Sequence, residues 1–254
     1  MNEVAYRIED TWSELRRFTD ARIALGRAGA SLPTREVLGF RLAHAAARDA
    51  VLLDLDIETI GLGMEGLERG LVKLKSRCRD KAEYLQRPDL GRRLSEPSRE
   101  KLEEIASPSG CDLAIVVADG LSSVAVERQA LPFLSMFLPL AAGLKLGPLC
   151  LASFARVALS DEIGSLLGAR AVVILLGERP GLSSPDSLGA YLTFAPKVGT
   201  TDERRNCISN IRPAGLPIPR AAAKLDYLLR ESLRRRISGV DLKDEESFEV
   251  LEKI

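Results

Sequence analysis

Histidine is almost missing from this chain of 254 residues; the single one is His44. A Ser-His-Asp or Cys-His nucleophile needs an imidazole as its base, so both arrangements lose support. A transition-metal centre usually recruits several histidines, and the Asp161-Glu162 pair stands without any. The four cysteines, Cys78, Cys111, Cys150 and Cys207, lie far apart and never in CxxC spacing. They indicate neither a zinc site nor a disulfide-stapled secreted fold, and read as reduced cytosolic thiols. Charge of either sign has no excess, with 36 Lys+Arg against 36 Asp+Glu, which argues against a chain built to wrap nucleic acid or to lie on anionic lipid. No apolar run reaches the ~20 clean residues of a membrane span. The longest candidate, residues 131–151, is broken by Pro132, Pro139, Lys145 and Pro148 and reads as a buried helix followed by a strand. The charged, helix-like residues 1–20 lack the apolar core and small-residue cleavage site of a secretory signal. No GxGxxG follows a strand and no GxxxxGK[ST] is present, so nicotinamide and ATP recede as ligands.

The pattern that remains divides near Ser107-Pro108-Ser109-Gly110, a turn-rich join. Residues 1–107 read as a helical N-terminal region. Leu38, Leu42, Ala45 and Ala46 recur at helical spacing there, as do Leu67, Leu71 and Leu74. Residues 108–254 alternate strand and helix and read as a Rossmann-like α/β domain. The short apolar runs 112–118, 149–154 and 171–176 suit strands buried on both faces of a parallel sheet. Between the last two, VALSDEIGSLLGA predicts a crossover helix with Ser160 as N-cap, Asp161 and Glu162 at its positive end, and Gly168 as its stop. Residues 220–238 carry Ala222, Leu225, Leu229, Leu233 and Ile237 as the stripe of an amphipathic helix that packs on the sheet. The fold class is thus α/β, a mostly parallel sheet with flanking helices.

Ligands of open parallel sheets bind beyond the carboxyl ends of the strands, so the loops DGLSS, FARVALS and GERPGL should share one rim. Within it, Glu178 follows a buried strand and is as suited to pairing with Arg179 or a backbone amide as to touching a ligand. Asp119 is equally a turn-former. Ser184-Pro185 has the sequence of a helix cap and start. Cys207, by the habits of free cysteine, should be buried and inert. His44 reads as a helix-surface or core residue, and the triple arginine 234–236 as a solvated helix end.

Several strings nonetheless resemble one family. ARIALGRAG (21–29), YLQRPDLGRRL (84–94), VVADGLS (116–122), DEIGSLLGA (161–169), GERPGLSSPDSLGAY (177–191) and RNCISNIRPAG (205–215) occur in order over about residues 19–239. Together they are similar to the small subunit of ethanolamine ammonia-lyase. The resemblance implies an adenosylcobalamin-dependent complex that turns ethanolamine into acetaldehyde and ammonia by a radical mechanism. In it a large TIM-barrel subunit holds the substrate and the small subunit covers the cobalamin. It further implies cofactor contacts at Val157, Glu178 and Cys207, no catalytic or metal-ligating residue in this chain, and no nucleic-acid or membrane partner. The DxHxxG string that supplies a histidine to cobalt is not found, since AAARD follows His44, so the cofactor is expected base-on. The implied location is cytoplasmic. Some members enter a protein-shelled microcompartment through a long N-terminal extension, whereas here the family-like strings begin near residue 19. The acidic tail beyond Lys243 has no counterpart in these strings.

Two other readings stay open from the residues alone. One is a self-sufficient Rossmann-like enzyme acting on a nucleotide or small phosphorylated ligand; the other is a structural adaptor whose rim only packs on a partner.

Overall fold

Four stretches of small, β-branched and leucine residues build the centre of the molecule. In the computed structural model, which describes residues 8–67 and 70–245, they are the parallel strands β1 (Leu71–Lys75), β2 (Cys111–Ala118), β3 (Leu146–Ser153) and β4 (Ala169–Gly177). Side chains alternate across a strand, and in β2 both sets are buried. Leu113, Ile115 and Val117 enter one core and Ala114, Val116 and Ala118 the other, which is why the run reads as continuously apolar. β5 (Leu188–Phe194) and β6 (Arg205–Ile211) extend the sheet, β5 antiparallel to both neighbours, to give the order β1-β3-β2-β4-β5-β6.

Helices close both faces. On one lie α2 (Ile57–Glu65), α5 (Ser123–Leu140) and α7 (Ile218–Arg235). On the other lie α4 (Glu96–Ile105) and α6 (Leu159–Leu166), through Leu102, Leu159 and Ile163. The predicted final helix is α7, which buries Ala222, Leu225, Leu229 and Leu233, while Ile237 packs against the same core just beyond its end. Residues 131–151 divide, as expected, between α5 and β3. The mostly parallel α/β sheet with flanking helices is the fold class expected, and no helix among the described residues is long and apolar enough to cross a membrane.

The N-terminal region holds α1 (Thr34–Leu52), α3 (Lys81–Gln86) and short 3-10 turns, with Ser13–Phe18 one of them. In α1 only Ala50 is buried, and Leu38 and Leu42 stand 57% and 73% exposed, so the apolar spacing makes a helix but no core. His44 lies on the exposed side of α1 and stacks on Phe40. The Ser107–Gly110 turn joins α4 to β2, and β1, from the N-terminal side of that turn, lies in the same sheet.

Three local expectations are corrected. Leu71 and Leu74 belong to strand β1, not a helix. Val72 and Leu74 face inward while Lys73 and Lys75 reach outward, so an edge strand uses the residues whose leucine spacing also fits a helix. Ser160 does not cap α6: Ala158 holds that position, and the Ser160 hydroxyl donates back to the Val157 carbonyl at 2.8 Å. Ser184-Pro185 starts no helix; residues 178–187 form a loop that turns β4 into the antiparallel β5. Gly168 ends α6 in the left-handed conformation as expected. The acidic tail falls outside the described residues from 246 onward.

Candidate functional site

The loops after β2, β3 and β4 do meet at one rim, and Asp119 is what ties them. Its buried carboxylate accepts hydrogen bonds from the amides of Gly120 (2.8 Å), Phe154 (2.7 Å) and Ala155 (3.0 Å), which fastens the β3–α6 loop to the end of β2. Burial pushes its carboxyl above the ordinary range, opposed by these amides and by the nearby Lys81 ammonium. Asp119 is thus a turn-former, its oxygens spent on backbone. On the other side Leu121 N donates to Gly177 O at 2.9 Å. The two backbones approach so closely that a Cβ on Gly177 would sit 2.1 Å from Ser122 O. Ser122 caps α5 through Ala125 N (3.1 Å) and donates to Pro185 O (2.6 Å), which pins the loop after β4.

Above this floor opens a cleft of about 1070 Å³. Val157 and Glu178 both line it. Val157 is half-buried in the turn that enters α6. Glu178, also half-buried, has one carboxylate oxygen engaged, Oε2 accepting from Ser187 Oγ at 2.5 Å and Asn210 N at 3.1 Å. Oε1 accepts no hydrogen bond among the described residues and lies over Gly189, where a Cβ would come within 3.0 Å of it. Glu178 therefore pairs with a hydroxyl and an amide, not with Arg179, and keeps a free acceptor.

Cys207 is exposed, which corrects the expectation of a buried thiol; Cys78, Cys111 and Cys150 are the buried ones. Cys207 sits on β6 directly opposite Tyr191 of β5, so the two side chains are cross-strand neighbours. Tyr191 lines the cleft and Cys207 does not, so the thiol stands one side chain behind the wall. Val157 and Glu178 are thus brought together directly, and Cys207 through Tyr191.

Sequence patterns passed over two arrangements here. Tyr84 is fully buried with its hydroxyl donating to Ala155 O at 3.0 Å, and the Arg156 guanidinium lies 4.3 Å from its ring centroid. On the far wall, residues 198–203 are held by Arg205. Its guanidinium grips Asp161 of α6 with two bonds of 2.6 and 2.7 Å and also donates to Thr200 O (2.7 Å) and Thr193 Oγ1 (3.1 Å). The only hint was that Asp161 and Arg205 each open one of the recognisable strings. Among the described residues no group of His, Cys, Asp and Glu is placed to hold a metal ion.

Sheet and cleft define a Rossmann-like α/β protein with an open ligand-sized cavity at the carboxyl rim of its parallel strands. Residues 9–243 match the family described as ethanolamine ammonia-lyase light chain (EutC). The chain is 59% identical over 243 residues to the ethanolamine ammonia-lyase small subunit of Azotobacter vinelandii, covering 93% of this chain and 89% of that one. To the small subunit of Pseudomonas putida it is 56% identical over 241 residues, with 93% and 89% covered. To that of Pseudomonas aeruginosa it is 55% identical over 248 residues, with 96% and 91% covered. This chain belongs to the ethanolamine ammonia-lyase light-chain family.

Proposed function

We propose that the chain is the cobalamin-covering subunit of an adenosylcobalamin-dependent ethanolamine ammonia-lyase, which forms acetaldehyde and ammonia from ethanolamine with a large TIM-barrel subunit that holds the substrate. The observation that carries the reading is the meeting of Val157 and Glu178 in one cleft, with Cys207 behind Tyr191 at its edge. The cleft suits a large corrinoid edge in both size and chemistry. Glu178 Oε1 is an open acceptor for an amide N–H, the bare Cα of Gly189 leaves room beside it, and Val157 offers an apolar contact. Cobalamin's rim carries amide groups, and a carboxylate held by Ser187 and Asn210 is pre-oriented to receive them.

When bound, the cofactor supplies homolytic cobalt–carbon chemistry, and the protein supplies binding, orientation and exclusion of water. Glu178 anchors the cofactor's amide periphery, Val157 packs on the ring system, and Tyr191 with Cys207 forms the adjoining wall. The one histidine, His44, lies on α1, whereas the cleft is built from the strand ends and residues 84–93 and 198–203, in keeping with a cofactor that retains its own base on cobalt. The complex would work in the cytoplasm, free or inside a protein-shelled microcompartment.

The test is acetaldehyde release by the cognate large subunit with adenosylcobalamin, with and without this chain. Activity only with both is expected; equal activity without this chain would refute the subunit role. In the assembled complex Glu178→Ala removes a charged hydrogen bond of about 1.5–3 kcal/mol, so the cofactor should dissociate about tenfold or more faster with assembly intact. An unchanged affinity would remove Glu178 from the contact set.

A further inference from the structure

The cleft has a second wall that the residues Val157, Glu178 and Cys207 leave unused. Residues 84–93 dock onto the β3–α6 loop through Tyr84 Oη to Ala155 O (3.0 Å) and Arg156 N to Gly91 O (2.8 Å). The fit is tight at Gly91, where a Cβ would come within 3.0 Å of Arg156 Cγ and 3.1 Å of Phe154 O. Against this platform the Arg156 guanidinium is fixed twice, by stacking on Tyr84 and by Nη2 donating to Tyr84 O at 3.1 Å. It has no carboxylate partner among the described residues, and its Nε, closed off from solvent, has no acceptor there. A guanidinium so held spends one Nη donor on Tyr84 and, with Nε sealed away, keeps its remaining Nη donors. Arginine is the residue suited to planar oxyanion recognition, because its fork is always charged and loses little entropy when already immobilised. Arg92, next to Gly91, lines the same cleft and has no ion-pair partner among the described residues either. Arg93, by contrast, is committed to Glu162 at 3.0 Å, and Asp89, the carboxylate within residues 84–93 that lines the cleft, to Arg87 at 2.7 Å. One wall therefore presents cationic donors in surplus, while across the cleft Glu178 presents an acceptor with Arg179 beside it.

We propose that Arg156 and Arg92 form an oxyanion subsite, which takes the phosphodiester of the bound ligand while Glu178 takes its amide side. The inference rests on the cobalamin reading above, since cobalamin carries one phosphodiester in its nucleotide loop. A ligand with an anion at one end and N–H donors along its edge can meet the Arg156–Arg92 pair and the Glu178 carboxylate at once, so the subsite favours one way round for the cofactor.

The experiment measures equilibrium binding by absorbance in the assembled complex for two ligands, adenosylcobalamin and adenosylcobinamide, which lacks the phosphodiester together with the ribose and base it carries. Arg156→Gln is expected to weaken cobalamin binding about tenfold and to leave cobinamide binding within about twofold of the unmodified complex, a difference that ties the loss to the nucleotide loop. Arg92→Gln, at an exposed position, should shift the same ratio in the same direction by a smaller factor. Arg156→Lys should recover part of the affinity for cobalamin. Equal loss for both ligands, or loss for neither, would overturn the subsite. An unmodified complex that binds neither ligand would instead overturn the cobalamin reading itself.

Discussion

Replacing Arg205 by methionine is expected to cost about 3–5 kcal/mol, the range seen when one partner of a buried ion pair is removed. The side chains of Arg205 and Asp161 are 2% and 1% exposed, so the carboxylate left behind has no water to turn to. Burial already pushes the Asp161 carboxyl upward, with the Arg205 hydrogen bonds opposing it, and the variant would remove that opposition. Thr200 O and Thr193 Oγ1 lose a donor in the same step. At this chain length about 2–4 °C of melting temperature goes with each kcal/mol, so the midpoint should fall by about 6–20 °C. Thermal melts by circular dichroism, with urea midpoints as a second measure, provide the assay. The reasoning also demands that Arg205→Met combined with Asp161→Leu be more stable than Arg205→Met alone, because the double variant leaves no buried charge. A single-variant loss under about 1 kcal/mol, or a double variant no better than the single, would show that the pair behaves as an exposed one and that the wall of the cleft is held by something else.

In the isolated chain a thiol reagent should modify Cys207 ahead of the other three cysteines, which should react only on unfolding: Cys207 alone is exposed, and although burial raises its thiol as well, the fully enclosed Cys150 thiol is pushed up to about 12. More than one fast thiol in the native chain would contradict this. Asp112 accepts from Lys145 N at 2.9 Å and from Arg170 at 2.9 Å, and these bonds hold its carboxyl below its ordinary value of 3.8. A depressed folded pKa means that the carboxylate stabilises the fold above its unfolded value and loses that contribution as pH falls through the folded one. The urea-midpoint difference between the unmodified chain and Asp112→Asn should therefore be full at pH 6 and shrink below about pH 4; a difference that grows on acidification would reverse the sign.

The strands most legible in the sequence are those buried on both faces. In 112–118 and 171–176 every position is apolar or small but Asp112, and no helix of that length would be bounded by Gly110 and Gly120 or by Gly168 and Gly177. β1 was hidden because its Leu71 and Leu74 continue the spacing of Leu67, and an edge strand with outward lysines has no distinctive apolar run. β5 and β6 were not read as strands. SLGAYLTF and RNCISNI mix polar residues with glycine, asparagine and a buried arginine whose partner lies 44 residues away in sequence. The rim itself followed from strand order, and Glu178 from its place one residue past β4. Val157 and Cys207 came through family resemblance, because an isolated valine or cysteine has no spacing signal. Arg156 and Arg205 escaped for the same reason: the function of a lone arginine depends on what the fold brings beside it, Tyr84 in one case and Asp161 in the other.

The floor of the cleft and its far wall differ in how they can yield. Asp119 laces the β2 and β3 ends together, and Gly177 presses directly on the backbone at Ser122, so the floor behaves as one stiff plate. The wall of residues 198–203 is joined to α6 through a single guanidinium. Between floor and far wall, accommodation of a bulkier or smaller ligand therefore falls to the wall. Attempts to re-engineer what the cavity admits have their natural lever at the arginine behind it and little to gain from the glycines beneath.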